Sequence, residues 1–256
     1  MAAESCFKPR THLREVPLEP AEAALVVIDV QNFCCHPEGA EWRHIPRAEL
    51  PAKEAYFWEE MPKAVSNIAA LLKGFREKRI EVLYTTIESL TRDGRDRSLD
   101  YKISGFNVPR GSWDGKVLDE VAPLEDEIVL PKTSCSVFVS TNLPYILRNL
   151  GVRQVVLVGG LTDQCVESAI RDACDMGFLV THVTDACYTI SQDRHDFSIR
   201  GIKGFCRQRT AAQLLHELEP LASAPRWEAS GFREGALEAD EEEVEQCAKR
   251  PKTAQP

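Results

Sequence analysis

The chain has 256 residues, a net charge of −9 spread over interspersed acidic and basic side chains, and nine cysteines. That balance disfavours nucleic acid or an anionic membrane surface as a partner. No apolar run reaches bilayer-spanning length and the first residues, MAAESCFKPRTHLREVPLEP, hold no signal-peptide core, so a soluble cytoplasmic protein with reduced thiols is expected.

Taken in chain order, AALVVIDV (Ala23 to Val30) is a short, β-branched run of the kind found in a strand covered on both faces. Val65, Ile68, Ala69, Leu72 and Phe75 then recur at helical spacing before a second strand, IEVLYTT, from Ile80 to Thr86. Residues 88 to 113 carry glycine, proline and charge without a period, and so long a loop within a compact domain is usually functional. Arg92, Arg95 and Arg97 alternate with acidic residues there, which suits a solvated loop or a carboxylate clamp. A third strand, DEIVLPK, spans Asp126 to Lys132, and a helix from Asn142 to Leu150 is closed by Gly151.

The fourth strand lies in QVVLVGGLTDQC, which breaks at two glycines and delivers Cys165 to the first turn of a helix patterned by Val166, Ala169, Ile170, Ala173 and Cys174. Free amides and the helix dipole at such a position lower a thiol's pKa toward the nucleophilic thiolate; a buried structural cysteine is the other reading. FLVTHVTDAC, from Phe178 to Cys187, is a fifth strand, and a sixth lies around Phe205 to Arg209. The repeated alternation predicts an α/β fold, a doubly wound parallel sheet with helices on both faces. One domain over residues 21–222 accounts for it, after an N-terminal extension, 1–20, and before a flexible acidic tail, 223–256, whose AKRPK run reads as solvated.

Ligands of open parallel sheets sit beyond the carboxyl ends of the strands, where strand order reverses. The first strand ends at Asp29, the third at Lys132, and the fourth leads into Cys165. A carboxylate, an ammonium and a thiol can therefore meet in one cleft, although a turn cap for Asp29 and a solvent-facing terminus for Lys132 are the readings of each alone. Cys34, Cys35 and His36 are adjacent in sequence and have no matching second half, so a pocket-wall or structural role is expected rather than zinc.

VVIDVQN, VLPKTSCSVF and VGGLTDQCVESAIRDACDMGFLVTHVTDAC, in this order, resemble the isochorismatase-like cysteine hydrolase superfamily over roughly residues 20 to 215. The resemblance implies a Rossmann-like, three-layer fold on a six-stranded parallel sheet, and a catalytic triad of Asp29, Lys132 and Cys165. It also implies a non-proline cis peptide between Gly160 and Leu161, with the amides of Leu161 and Cys165 as an oxyanion hole. The expected reaction is hydrolysis of a C–N bond in a small amide, ureide or carbamoyl compound through a thioester. Nicotinamidases of this superfamily bring histidines to a metal, whereas TTIESLTRDGRD has none and His44 stands alone. No metal and no other cofactor is therefore expected. GSWDGKVLDEVAP and DQCVESAIRDA are most similar to the ureide and carbamoyl amidohydrolase branch, but Phe33 and Cys34 replace the acidic and aromatic pair of the family's D-x-Q-N-D-F. Gln31, Asn32, Phe33, Tyr101, Trp113 and Thr133 are the expected substrate contacts, in a homo-oligomer (dimer or tetramer). The competing expectations are a catalytically inactive binding or scaffold protein and a metal-free, nicotinamidase-like amidase.

Overall fold

A computed structural model describes residues 10–228 and 230–235. Strand and helix alternate as β1 (Ala23–Ile28), α1 (Asn32–Cys35), α2 (Leu50–Lys53), α3 (Ala55–Glu77), β2 (Glu81–Ile87), α4 (Leu99–Ile103), β3 (Ile128–Lys132), α5 (Val137–Ser140), α6 (Leu143–Asn149), β4 (Gln154–Gly160), α7 (Glu167–Asp175), β5 (Leu179–Tyr188), α8 (Gln192–Ile202), β6 (Arg207–Arg209) and α9 (Ala211–Leu218). The strands form one six-stranded sheet in the order β3-β2-β1-β4-β5-β6, every neighbour parallel. The chain winds outward to β3 and then returns to place β4 on the other side of β1. The switch point therefore lies between β1 and β4, whose carboxyl ends open a crevice.

Why the central strands are apolar throughout follows from the two layers. Leu25, Val27, Val156 and Val158 pack with Ile68, Leu72 and Phe75 of α3 and Leu214 of α9. Ala24, Val26, Val155 and Leu157 pack with Leu147, Ala169, Ile170 and Ala173 on the opposite face. Every residue of β1 and β4 is buried, and each buried Val, Leu or Ile contributes about 1.5–3 kcal/mol from loss of apolar surface to water. No helix among the described residues is long and apolar enough to cross a membrane.

Several element ends differ from the sequence expectation. β1 stops at Ile28 rather than Val30 because Asp29 turns into the left-handed region, with φ of 56°. α3 begins ten residues before Val65, at Ala55, and carries Pro62 inside it; the missing N–H there costs one intrahelical bond, which the apolar face packed on the sheet outweighs. The aperiodic loop contains α4, capped by the Ser98 hydroxyl, which accepts from the Tyr101 amide. Both ends of the domain also run on. Leu18 and Pro20 of the expected extension are buried, and Gln154 bonds Pro17 and Glu19. Ala224 exchanges hydrogen bonds with Lys78 and Arg79, and Trp227 and Arg233 reach Glu81. The first part of the expected tail is thus anchored to the start of β2, a contact its polar composition conceals; residues 236–256 lie outside the described residues.

Candidate active site

Each reactive group stands at a strand end because a different piece of backbone puts it there. Asp29 follows β1, and its left-handed turn brings the carboxylate to Thr85 of β2, whose hydroxyl donates to Oδ1 at 2.8 Å. Lys132 closes β3 and is 0% exposed. Its Nζ lies 2.9 Å from Asp29 Oδ2 and donates to the Cys165 sulfur at 3.4 Å. The ammonium also donates to Tyr101 Oη and to the Ser134 carbonyl, each at 2.9 Å. One cation thus touches both the carboxylate and the thiol. Asp29 Oδ2 receives no hydrogen bond of good angle, so a lone pair is open to a proton from another group.

Cys165 is not in the first turn of an α-helix. It sits in a π-helical turn, Thr162–Val166, that precedes α7. The peptide between Gly160 and Leu161 is cis, and the Leu161 N–H meets no protein acceptor among the described residues. The turn is fixed from behind by the segment that follows β5. Thr162 Oγ1 bonds His195 Nδ1 at 2.9 Å, the Ser198 hydroxyl donates to the Thr162 carbonyl at 3.3 Å, and Asp163 pairs with Thr189 and Arg194. Gly159 has φ of 118°, and an added Cβ would stand 2.1 Å from the Ile28 carbonyl oxygen. Glycine is required there both for its conformation and for the close approach of β4 to β1.

The electrostatics reverse one sequence expectation. Contact with Cys135, 4.0 Å away, burial and the Asp29 carboxylate together raise the Cys165 pKa well above the ordinary thiol value, against the lowering pull of Lys132. The resting group is a thiol, and its proton must be taken by a base at the moment of attack. Cys135 is pushed down to about 6, chiefly by the same contact. For Lys132, burial pulls the pKa down, but Asp29, Cys165 and Tyr101 hold it well above the ordinary lysine range. Cys34 is raised by its contact with Cys35 and by burial, which keeps that neighbouring thiol protonated.

Of the expected substrate contacts, only Phe33 lines the cavity over Cys165. Gln31 is fully buried and spends its amide on Ile87 and Asp114. Asn32 donates to the Trp113 carbonyl. Trp113 packs edge-on against His36 and lines a separate, larger cavity of about 750 Å³ that Cys165 does not reach. Tyr101 is buried on Lys132 and donates to the Ser134 carbonyl; burial pushes its pKa up, so it remains a phenol. The Thr133 carbonyl accepts from Ser98 in the adjoining loop, and its side chain is absent from the cavity wall. Sequence reasoning passed over Glu41, Ile87, Phe106, Gln164 and Tyr188, which do line it. Only Cys34, adjacent to Phe33, carried a signal. The cavity is narrow, with about 30 Å³ open to the centre of a water-sized sphere, so its aromatic and acidic walls must part to admit a substrate. His36 and its cysteine neighbours form no metal cluster, and no group of three His, Cys, Asp or Glu among the described residues is arranged to hold an ion.

Comparison with known proteins agrees with this architecture. The model of the isochorismatase domain matches residues 23–217. Ureidoacrylate amidohydrolase RutB of Acinetobacter baylyi is 35% identical over 201 residues, 74% of this chain and 80% of its own. The RutB of Rhizobium rhizogenes is 28% identical over 194 residues, 70% of this chain and 75% of its own. Among solved structures, N-carbamoylsarcosine amidase from Thermoplasma acidophilum superposes with a TM-score of 0.59 at 27% identity, covering 74% of this chain and 96% of its own. A cysteine hydrolase from Pseudomonas syringae shares the fold, with a TM-score of 0.69 at 23% identity over 80% of this chain and 95% of its own. With the sheet order, the strand-end groups and a family match across most of its length, the chain belongs to the isochorismatase domain family.

Proposed function

We propose that the protein is an amidohydrolase that uses Cys165 to cleave a C–N bond in a small amide, ureide or carbamoyl compound through a thioester. The observation that carries this reading is the buried Lys132 ammonium in contact with both the Asp29 carboxylate and the Cys165 sulfur. A fold used only for binding has no chemical need for a charge pair at 0% and 2% exposure beside a thiol. The named activities of its relatives, ureidoacrylate amidohydrolase and N-carbamoylsarcosine amidase, support the same reaction class.

Asp29 takes the thiol proton as Cys165 attacks the carbonyl carbon. The oxyanion that forms is held by the amides of Leu161 and Cys165, and one such donor is worth about 3 kcal/mol in the transition state. Collapse breaks the C–N bond, and Asp29 returns the proton to the departing nitrogen. Water, deprotonated by the same carboxylate, then attacks the thioester, and Cys165 leaves and is reprotonated. Lys132 stays charged throughout, balancing Asp29 before it takes the proton and the thiolate afterwards.

Mass spectrometry and ammonia release on a panel of ureides, carbamoyl amino acids, biuret and simple amides test the proposal. A Cys165 acyl adduct with ammonia or amine release is the expected result. Tight, specific binding of one compound with neither product would replace the enzyme by a binding protein. Normal adduct accumulation in Asp29→Asn would remove Asp29 as the base.

A further inference from the structure

The cavity over Cys165 has an acidic wall that the mechanism above does not use. Glu41 lies in the turn Ala40–Trp42, whose ends are tied down: the Ala40 amide donates to Asp114 Oδ1 at 3.0 Å, and Trp42 Nε1 donates to the Cys34 carbonyl at 2.7 Å. Glu41 lines the same cavity as Asp29, Gly160, Leu161 and Cys165. Its carboxylate accepts no hydrogen bond from the protein and joins no ion pair among the described residues, although the nearby Arg43 is committed to Asp114 at 3.2 Å.

No Arg, Lys or His lines this cavity. Lys132, behind it, is engaged by Asp29, Tyr101, Ser134 and Cys165. Arg97 of the 88–113 loop donates to the carbonyls of Gly94 and Phe106, and Arg95 pairs with Asp93 in solvent. The carboxylate clamp that the loop arginines suggested in sequence is therefore absent from the reacting end. A substrate carboxylate would meet two acidic side chains and no free cation in a narrow, largely apolar cleft, where unpaired like charges are costly. A substrate with N–H groups would give Glu41 the donors it lacks.

We propose that Glu41 sets the charge of the substrate, so that the cleft selects neutral or cationic amides and ureides offering N–H donors and rejects those carrying a carboxylate near the reacting carbonyl. This rests on the reading of Cys165 as the nucleophile and narrows it, setting the preferred substrate apart from an acrylate-type acid. Burial, and then the charge of Glu54, push the Glu41 carboxyl up to about 7, so the charge rule is read above that pH, where Glu41 is ionised.

The test uses a matched pair, N-carbamoylglycine and N-carbamoylglycinamide, which differ only in carboxylate against amide, together with the ammonium-bearing glycinamide. Dissociation constants measured by calorimetry on the full-length Cys165→Ala protein read charge selection without chemistry. The neutral amide should bind at least about tenfold more tightly than the acid, and Glu41→Gln should shrink that ratio while weakening glycinamide. Equal or tighter binding of the acid, a ratio unchanged by Glu41→Gln, or no binding of either amide overturns the assignment of Glu41. Turnover and a Cys165 adduct on the wild-type protein test the nucleophile separately: the adduct can form with the acid preferred, which sinks the charge rule and leaves the cysteine mechanism standing.

Discussion

Replacing Lys132 by methionine removes the ammonium and leaves an unbranched side chain of similar length in the same buried place. At 2.9 Å from Asp29 and an effective dielectric near 20, the lost attraction is about 6 kcal/mol before the desolvation of the two charges is set against it. What remains is a carboxylate at 2% exposure with the Thr85 hydroxyl as its side-chain donor. Breaking one side of such a pair costs about 3–5 kcal/mol, which lowers a urea midpoint by roughly 1–2 M for a slope near 3 kcal/mol/M. The double variant Asp29→Asn/Lys132→Met, with no stranded charge, should recover at least half of that loss. The pH dependence has a definite sign. The folded-state pKa of Lys132 is raised above the ordinary 10.5, so its stabilisation is fully present below that value and is lost as pH climbs through the folded one. The stability gap between wild type and Lys132→Met should therefore hold through neutral pH and narrow only above about 10.5. A loss under about 1 kcal/mol, the worth of an exposed pair, or a double variant no more stable than Lys132→Met, would refute the reasoning.

Cys165→Ser should reduce turnover to background with the melting temperature nearly unchanged, since a serine hydroxyl ionises poorly; retained activity would eliminate the covalent route. Gly159→Ala places a methyl 2.1 Å from a backbone oxygen at φ of 118°, and about 3 kcal/mol of strain should lower Tm by roughly 6–12 °C. A shift below about 2 °C would show that β1 and β4 can separate there at little cost. Iodoacetamide labelling followed by peptide mass spectrometry should find Cys135 reacting with a midpoint near its depressed pKa of about 6, and Cys165 gaining reactivity only at higher pH, because a raised pKa delays its thiolate. The reverse order would mean that the thiolate of the pair resides on Cys165.

The strands were legible because a sheet covered on both faces leaves a plain mark, uninterrupted β-branched runs such as VVLV in β4. The strand-end positions of Asp29, Lys132 and Cys165 followed, since parallel topology sends those ends to one side. The cavity wall was far less legible. Tyr101 offers a phenol to any reading of sequence, yet the path of the 88–113 loop buries it on Lys132, and aperiodic composition does not encode that path. Cys135 reaches Cys165 across 30 residues, a proximity set by how α5 packs on α7. Glu41 sits among Glu, Arg and His residues that resemble a solvated turn, and the bonds that hold this turn at the cavity, from Ala40 to Asp114 and from Trp42 to Cys34, are tertiary. The expectation that a helix start would acidify Cys165 failed for a related reason: the dipole acts through local backbone, while the neighbouring thiol, burial and Asp29 act through tertiary contacts absent from the local pattern.

The side chains that bond the Thr162 and Asp163 end of the turn, Thr189, Arg194, His195 and Ser198, all come later in the chain than Cys165. A polypeptide emerging from the ribosome exposes Asp29, then Lys132, then the thiol, while these supports are still untranslated. Under the mechanism proposed above, synthesis delivers the reactive group before this support for its turn, and a nascent chain should gain activity only once α8 has docked. Chains ending before residue 199 should therefore show no turnover even where the sheet has formed.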